Sequence, residues 1–348
     1  MRFLIRRILF INAALALLIG TEARGNYTLT DLGGGNAYGI NASGEVVGQN
    51  AVGHAFLYSN GTTTDLGTLG GTSSLALNIN DSGEVVGWAD DAANTTHGFL
   101  YNGSMVNLSP GSVTGGAQGI NVSGQVVGWY SNGGSGTQAF LYSSGVETNL
   151  GTFPTGSNTY PLSINTGGQV VGYTYQQGIT AEQPFQIQSG TTTITNFSGA
   201  FQMITASGQI VGGHYLSDTV WHAYSNGAVT DLGTLGGSNS WAYGINTTGQ
   251  MVGDSNTASG ADHGFIYSNG TMTDLNTLID PTLGWTLQTA YAINDNGQIV
   301  GWGTNASGAT DAFLLSAVPE PSTFVMSSIL FGIFGVVWSY NRHPRYCD

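Results

Sequence analysis

The residues able to do chemistry gather where one kind of strand ends. Trp88, Trp129, Tyr173 and Trp302 each follow a Val-Val-Gly or Ile-Val-Gly run, and Asp90, Asp91, Asn94, Asp254, Asn256 and Asn305 lie close behind such runs. An exposed ring can stack on the apolar face of a sugar, while carboxylates and amides hydrogen-bond its hydroxyls. The competing reading is packing, with the same rings buried between neighbouring repeats. Catalysis asks for more. Glycoside hydrolysis uses two carboxyl groups converging on one bond, and Asp90-Asp91 is the only adjacent acidic pair. No serine elbow, phosphate loop or metal-ligand cluster is visible, and no cofactor is implied.

These residues are positioned by a repeat. The phrase Ile-Asn, two small residues, Gly, then a Val-Val-Gly strand begins at Ile40, Ile79, Ile120, Ile164, Ile204, Ile245 and Ile293. Spacings of 39, 41, 44, 40, 41 and 48 residues mark one supersecondary unit that cannot bury its apolar face alone. Each unit divides into four strand-like pieces. In the second they are residues 75–79 (a), 84–88 (b), 97–101 (c) and 105–108 (d). The a–b link Asn80-Asp81-Ser82-Gly83 suits a type I turn followed by a left-handed Gly. The c–d links, such as Ser59-Asn60-Gly61 and Ser268-Asn269-Gly270, are hairpin chemistry as well. Four antiparallel strands joined by tight turns make one propeller blade.

Strand c occurs seven times, the last at residues 311–315, and no strand d follows it. Residues 27–32, ahead of the first strand a, match the d strands at 62–66 and 228–232. An N-terminal d strand would complete the last blade and remove the open edges. The expected fold is therefore all-β: a seven-bladed β-propeller of four-stranded blades over residues 25–316. An open solenoid is the alternative, but it would want polar caps. The b–c loops vary most in length, which puts variation on the face where a rigid scaffold carries function.

Composition narrows the partners. Of 348 residues only 7% are charged, and all six basic residues (Arg2, Arg6, Arg7, Arg24, Arg342 and Arg345) sit at the ends. Between Gly25 and Val318 there is no Lys or Arg, against seventeen Asp or Glu. Neutralising phosphates needs cations, so nucleic acid is excluded and anionic lipid is disfavoured. Neutral glycans, cations and other proteins remain. The sole Cys347 leaves the repeats without a disulfide.

Residues 1–23 read as a signal peptide, with Arg2, Arg6 and Arg7, an apolar stretch from Ile8 to Ile19, and cleavage after Ala23. At the other end Val318-Pro319-Glu320-Pro321-Ser322-Thr323 precedes an apolar run over 324–340 and the basic segment ending at Arg345. A helix over that run reaches roughly 25 Å, enough for a hydrocarbon core. The basic tail would stay cytoplasmic. Residues 318–345 resemble the PEP-CTERM sorting signal of Gram-negative bacteria. The resemblance implies recognition by a membrane-embedded exosortase, cleavage near Pro319, Glu320 and Pro321, and delivery to the cell surface or matrix. The protein would be anchored transiently in the inner membrane on the way.

The phrases His54-Ala55-Phe56, His97-Gly98-Phe99, His222-Ala223-Tyr224 and His263-Gly264-Phe265, with Asp65-Leu66-Gly67-Thr68-Leu69-Gly70-Gly71, resemble the extracellular HAF repeat family. Gln138, Gln183 and Asp311 replace the His, and Thr205 replaces an Asn. The resemblance implies no defined activity. In a ring the recurring His would lie far apart, whereas zinc needs converging ligands; a His bracing the neighbouring blade is the expectation. Asp31, Asp65, Asn107, Asn149, Asn196, Asp231 and Asp274 end the d strands, and Asx turns account for them better than a ring of cation ligands. The sequence thus points to an exported, non-catalytic propeller that binds exopolysaccharide or envelope proteins through its b–c face. Trp88, Trp129, Tyr173, Trp302, Asp90, Asp91 and Asp254 are the candidate contacts. A glycosidase or lyase on the same scaffold is the rival.

Overall fold

In the computed structural model residues 26–318 are described, apart from 110–113, 132, 134–135, 155, 177–181, 196–197, 218 and 226–229. The expected signal peptide, Ala23, Pro319, Glu320, Pro321 and the apolar run 324–340 lie outside the described residues. Among the described residues no helix is long and apolar enough to cross a membrane.

Twenty-seven strands are present among the described residues. The first four are β1 (Tyr27–Ile40), β2 (Val46–Asn50), β3 (Ala55–Ser59) and β4 (Thr62–Gly67). A four-stranded sheet follows: β5 (Gly70–Ile79), β6 (Val85–Asp91), β7 (Thr96–Tyr101) and β8 (Met105–Asn107). The next contains β9 (Thr114–Ile120), β10 (Val126–Ser131), β11 (Gln138–Ser143) and β12 (Val146–Gly151). Then come β13 (Ser157–Ile164), β14 (Val170–Gln176), β15 (Gln183–Gln188) and β16 (Thr191–Ile194). The fourth such sheet has β17 (Gly199–Ile204), β18 (Ile210–Ser217), β19 (Val220–Ser225) and β20 (Thr230–Asp231). The fifth has β21 (Gly236–Ile245), β22 (Met251–Thr257), β23 (Asp262–Ser268) and β24 (Thr271–Asp274). Last are β25 (Thr286–Ile293), β26 (Ile299–Thr304) and β27 (Thr310–Ala317). Five sheets have four strands, and the sixth has seven in the order β25-β26-β27-β1-β2-β3-β4. The long β1 explains that sheet. Its C-terminal half pairs with β2, from Gly35↔Asn50 to Ile40↔Val46. Its N-terminal half lies beside β27, where the Thr28 hydroxyl donates to the Ser316 carbonyl at 3.1 Å. The expected closing strand is in place.

The paired Val residues bind sheet to sheet. Side chains alternate along a strand, so two adjacent Val residues face opposite neighbours. Val47 packs with Val85, Val86 with Val126, Val127 with Val170, and Val171 with Ile210. Val211 then meets Met251, Val252 meets Ile299, and Val300 returns to Val46. The apolar core is thus a closed succession of clusters. A buried Phe supports most of them: Phe56, Phe99, Phe185, Phe201, Phe265 and Phe313.

The turn Asn follows the same circuit in hydrogen bonds, with one gap between Thr205 and Asn246. Asn41 Nδ2 donates to the Asn80 carbonyl (3.2 Å), Asn80 to Asn121 (3.2 Å), Asn121 to Asn165 (3.0 Å) and Asn165 to Thr205 (3.1 Å). Asn246 donates to Asn294 (3.2 Å), and Asn294 back to Asn41 (2.9 Å). Each Asn also ties its own turn, as Asn80 Oδ1 accepts the Ser82 and Glu84 N–H groups at 3.0 Å. The Asn residues of the circuit are buried.

One feature was not foreseen in the sequence. Every innermost strand skips one residue in its pairing: Tyr38, Leu77, Gln118, Leu162, Gln202, Tyr243 and Tyr291. A bulge re-aims the extra side chain, and all seven line one cavity of about 160 Å³ where the repeats meet. The neighbouring strand answers with the Gly of Val-Val-Gly, since a Cβ at Gly87 would collide with the Leu75 carbonyl and one at Gly253 with that of Trp241.

Candidate functional site

The Asn circuit occupies the end of the inner strands where the a–b turns lie. A second cavity, of about 430 Å³, opens toward the opposite end, among β14, β17, β18, β19, β21 and β22. Gln202 and Tyr243 line both it and the central cavity. Its walls are Tyr173 on β14, Tyr215 on β18, Trp221 on β19, and Trp241 and Tyr243 on β21. Asp254 on β22 and Glu182, next to β15, bring carboxyl groups to it.

The cavity arises from two departures from the repeat. The residue after the strand-b Gly is Gln49, Trp88, Trp129, Tyr173, Gly213, Asp254 and Trp302 in successive units. Gly213 leaves a gap that Trp241 of the next sheet fills, since a Cβ at Gly213 would run into the Trp241 ring. Asp254 pairs directly with Trp241 in the strand register, replacing a bulky ring by a short carboxylate. Tyr215 packs edge-on against Trp241 (5.9 Å between centroids, 64°) and Trp221 (6.2 Å, 70°). Tyr243 leans on Tyr291 at 5.0 Å, which in turn meets Tyr38 at 4.7 Å.

Burial governs the electrostatics. The Asp254 carboxyl is pushed up to about 6, chiefly by desolvation; Asp262 adds to the rise, and the Tyr243 hydroxyl bonded to it opposes it. Desolvation also raises Glu182, which accepts a hydrogen bond from Tyr215 Oη at 3.4 Å. Tyr173, Tyr215 and Tyr243 are all raised, first by burial. Asp254 Oδ1 and Trp241 Nε1 are buried with no hydrogen-bond partner among the described residues. Unpaired buried polar atoms are costly and uncommon, and carboxyls displaced toward neutrality mark functional clefts.

Of the residues singled out in the sequence, the structure brings only Tyr173 and Asp254 to this cavity. Trp129 is half-buried and packs edge-on against Tyr160 of the adjacent sheet at 5.5 Å, so it belongs to inter-sheet packing. Trp302 is half-buried and bonded to Tyr291. Trp88 is half-buried between Leu75 and Gly98 in the register. Asp90 accepts the Thr96 hydroxyl at 2.7 Å. Asp91 caps its own loop, accepting from Ala93 N (2.8 Å) and Thr95 N (2.9 Å), and meets His97 Nε2 at 3.1 Å. Trp221, Trp241, Tyr215 and Glu182 were missed. The readable signal was the loss of the ring at Gly213 and Asp254.

The His residues do not brace a neighbouring sheet. His54 Nδ1 meets Asp65 Oδ2 at 3.0 Å, His222 meets Asp231 at 2.7 Å and His263 meets Asp274 at 2.6 Å, all within one sheet. Antiparallel pairing sets the start of strand c opposite the end of strand d, which is why the contact is local. Where Gln138 replaces the His, Asn149 replaces the Asp, and Asn149 Nδ2 donates to Gln138 Oε1 at 2.7 Å. Oδ1 of each Asx makes the expected turn: Asp31, Asp65, Asn107, Asn149, Asp231 and Asp274 accept the N–H two residues on at 2.7–2.8 Å. Asn196 lies outside the described residues.

No protein-family model matches the sequence, and no curated protein matches it. Solved structures do resemble the chain. The β-propeller domain of the trilobed protease from Pyrococcus furiosus superposes with a TM-score of 0.52 at 10% identity, covering 74% of this chain and 86% of that one. A putative TolB from Agrobacterium tumefaciens gives 0.43 at 13% identity over 82% and 91% of the two chains. The BP39L lectin from Burkholderia pseudomallei gives 0.44 at 12% identity over 85% and 97%. With the closed succession of four-stranded antiparallel units, the first of these likenesses makes the fold a β-propeller.

Proposed function

We propose that this protein is an exported, non-catalytic, seven-bladed propeller that binds polysaccharide in the cavity bounded by Tyr173, Tyr215, Trp221, Trp241, Tyr243 and Asp254. The blade count follows from splitting the seven-stranded sheet within β1, so that β25–β27 and the start of β1 form one blade. One observation carries the binding reading: rings on three adjacent sheets enclose a cavity that two carboxyls and the Gln202 amide also line. Such a mixture of apolar wall and few convergent polar groups suits a small polar ligand. The absence of Lys and Arg from residues 26–318 turns the choice away from anionic polymers. Export, exosortase processing near Pro319-Glu320-Pro321 and a place at the cell surface or matrix rest on the two terminal segments, and mass spectrometry of the mature ends tests them.

The test is retention of the protein on an array of bacterial polysaccharides, with reducing-end release read in the same wells. Saturable retention lost in Trp221→Ala, without release, is the expected result. No retention on any polysaccharide rejects the reading. The rival draws on the two carboxyls raised by burial, a feature of general acids. Release that disappears in Glu182→Gln would make the protein a polysaccharide-processing enzyme.

A further inference from the structure

The cavity has more to say about its ligand. Its two carboxyls, Asp254 and Glu182, have no internal cation to answer them, because no Lys or Arg lies between residues 25 and 318. Burying carboxylates without a counter-charge is costly. Around them stand five aromatic side chains, and an aromatic enclosure attracts a cation through the negative faces of its rings. The seventeen acidic residues of the same segment add a field that draws cations to the surface. A bare metal ion is a poor fit: no group of three His, Cys, Asp or Glu residues among the described residues could hold one. The Gln202 amide on the cavity wall also offers a donor to an oxygen acceptor beside the cation.

We infer that the cavity selects a hexosamine unit bearing a free amine, with its ammonium held by Asp254 and its hydroxyls meeting Gln202 and Glu182. This rests on the reading of the cavity as a polysaccharide site. Of the common sugar substituents, only a free amine supplies the missing charge while leaving a ring face to stack and hydroxyls to bond. The preference depends on ionised Asp254. The groups facing it are Tyr243 on β21, Asp262 on β23 and Tyr291 on β25, with Glu182 elsewhere on the cavity wall. Tyr243 and Tyr291 are raised by burial and stay neutral, so the acid limb follows the carboxyls and lies near pH 6.

Three β-1,4-linked oligosaccharides of equal length test this with the full chain: one of glucosamine, one of N-acetylglucosamine and one of glucose. They differ at a single substituent, which is an amine, an acetamide or a hydroxyl. Titration calorimetry at neutral pH and low salt should show the amine oligomer binding at least about tenfold tighter than the other two, the scale of one hydrogen bond to a charged group. The advantage should shrink with added salt and on acidification through about pH 6. Asp254→Asn should abolish the advantage of the amine oligomer over the other two, and thermal unfolding of the variant reports that it is folded. Equal affinities in the wild type, a tighter acetamide or hydroxyl oligomer, or a preference that survives in Asp254→Asn would overturn the inference and leave the polysaccharide reading standing. Binding of none of the three would sink that reading and this one together.

Discussion

Asp254 should cost the protein stability. Its carboxyl titrates at about 6 in the folded chain against an ordinary value of 3.8, because burial beside Trp241 and Tyr243 outweighs the one hydroxyl bonded to it. That difference corresponds to about 3 kcal/mol. The sign follows from the raised folded value. At pH below 3.8 the group is protonated in both states and imposes no penalty. As pH rises toward 6 the unfolded chain ionises first, and stability falls until the folded carboxyl ionises too. Asp254→Asn removes the charge and keeps the shape. The variant should be more stable than wild type by up to about 3 kcal/mol above pH 6, with the difference fading by pH 4. Urea unfolding of both proteins across that range is the assay. A variant less stable at neutral pH, or a difference independent of pH, would refute the reasoning. A residue that destabilises its own fold is the kind kept for a ligand.

Other consequences are simpler. Thr205 is the one link missing from the Asn circuit, since it offers no amide to the Asn246 carbonyl; Thr205→Asn should add about 1 kcal/mol, the worth of one buried hydrogen bond, read as a rise in melting temperature of about 2–4 °C. Asn294→Thr should do the reverse, and equal melting temperatures in both variants would contradict the role given to the circuit. Gly213→Leu should displace the Trp241 ring that now fills its place and abolish polysaccharide retention, whereas Gly167→Ala, where an added Cβ would meet only Asn165 Oδ1 at 3.4 Å, should leave retention unchanged. At Asp65 burial is outweighed by the Gly67 N–H and His54, and at Asp231 by His222 and the Gly233 N–H, so both carboxylates titrate below their usual value. Their contribution is present above about pH 4 and is lost as pH falls through the depressed values. The melting temperature should therefore drop on that side, and less steeply in Asp65→Asn.

The scaffold was far more legible than the site. Hairpin chemistry such as Asn80 to Gly83 marks strand ends by local rules, and the match of residues 27–32 to other d strands foretold β1 beside β27. The Asx turns were equally local. Inter-sheet relations were harder. A turn Asn explains itself within its own loop, so nothing in the phrase announced that Asn41 also reaches Asn80 of the next unit. The bulges at Tyr38 and Tyr243 depend on how a strand twists around a crowded axis, which no alternation pattern records. The His residues were assigned to the wrong neighbour, although the joint change to Gln138 and Asn149 pointed to a strand c to strand d pair. The cavity escaped notice for a related reason. Attention to rings that recur, such as Trp129, led to a ring set against Tyr160 of the next sheet, whereas the opening lies where the ring is lost, at Gly213 and Asp254.

The most direct test of the carbohydrate reading follows the seven Trp side chains by their indole N–H signals. With the protein labelled at Trp, a soluble oligosaccharide is titrated in and each signal is tracked. Saturable shifts at Trp221 and Trp241, with Trp88, Trp129 and Trp302 unmoved, are the predicted result. Shifts confined to Trp88 and Trp129, or none at a saturating concentration, would contradict the assignment of the cavity.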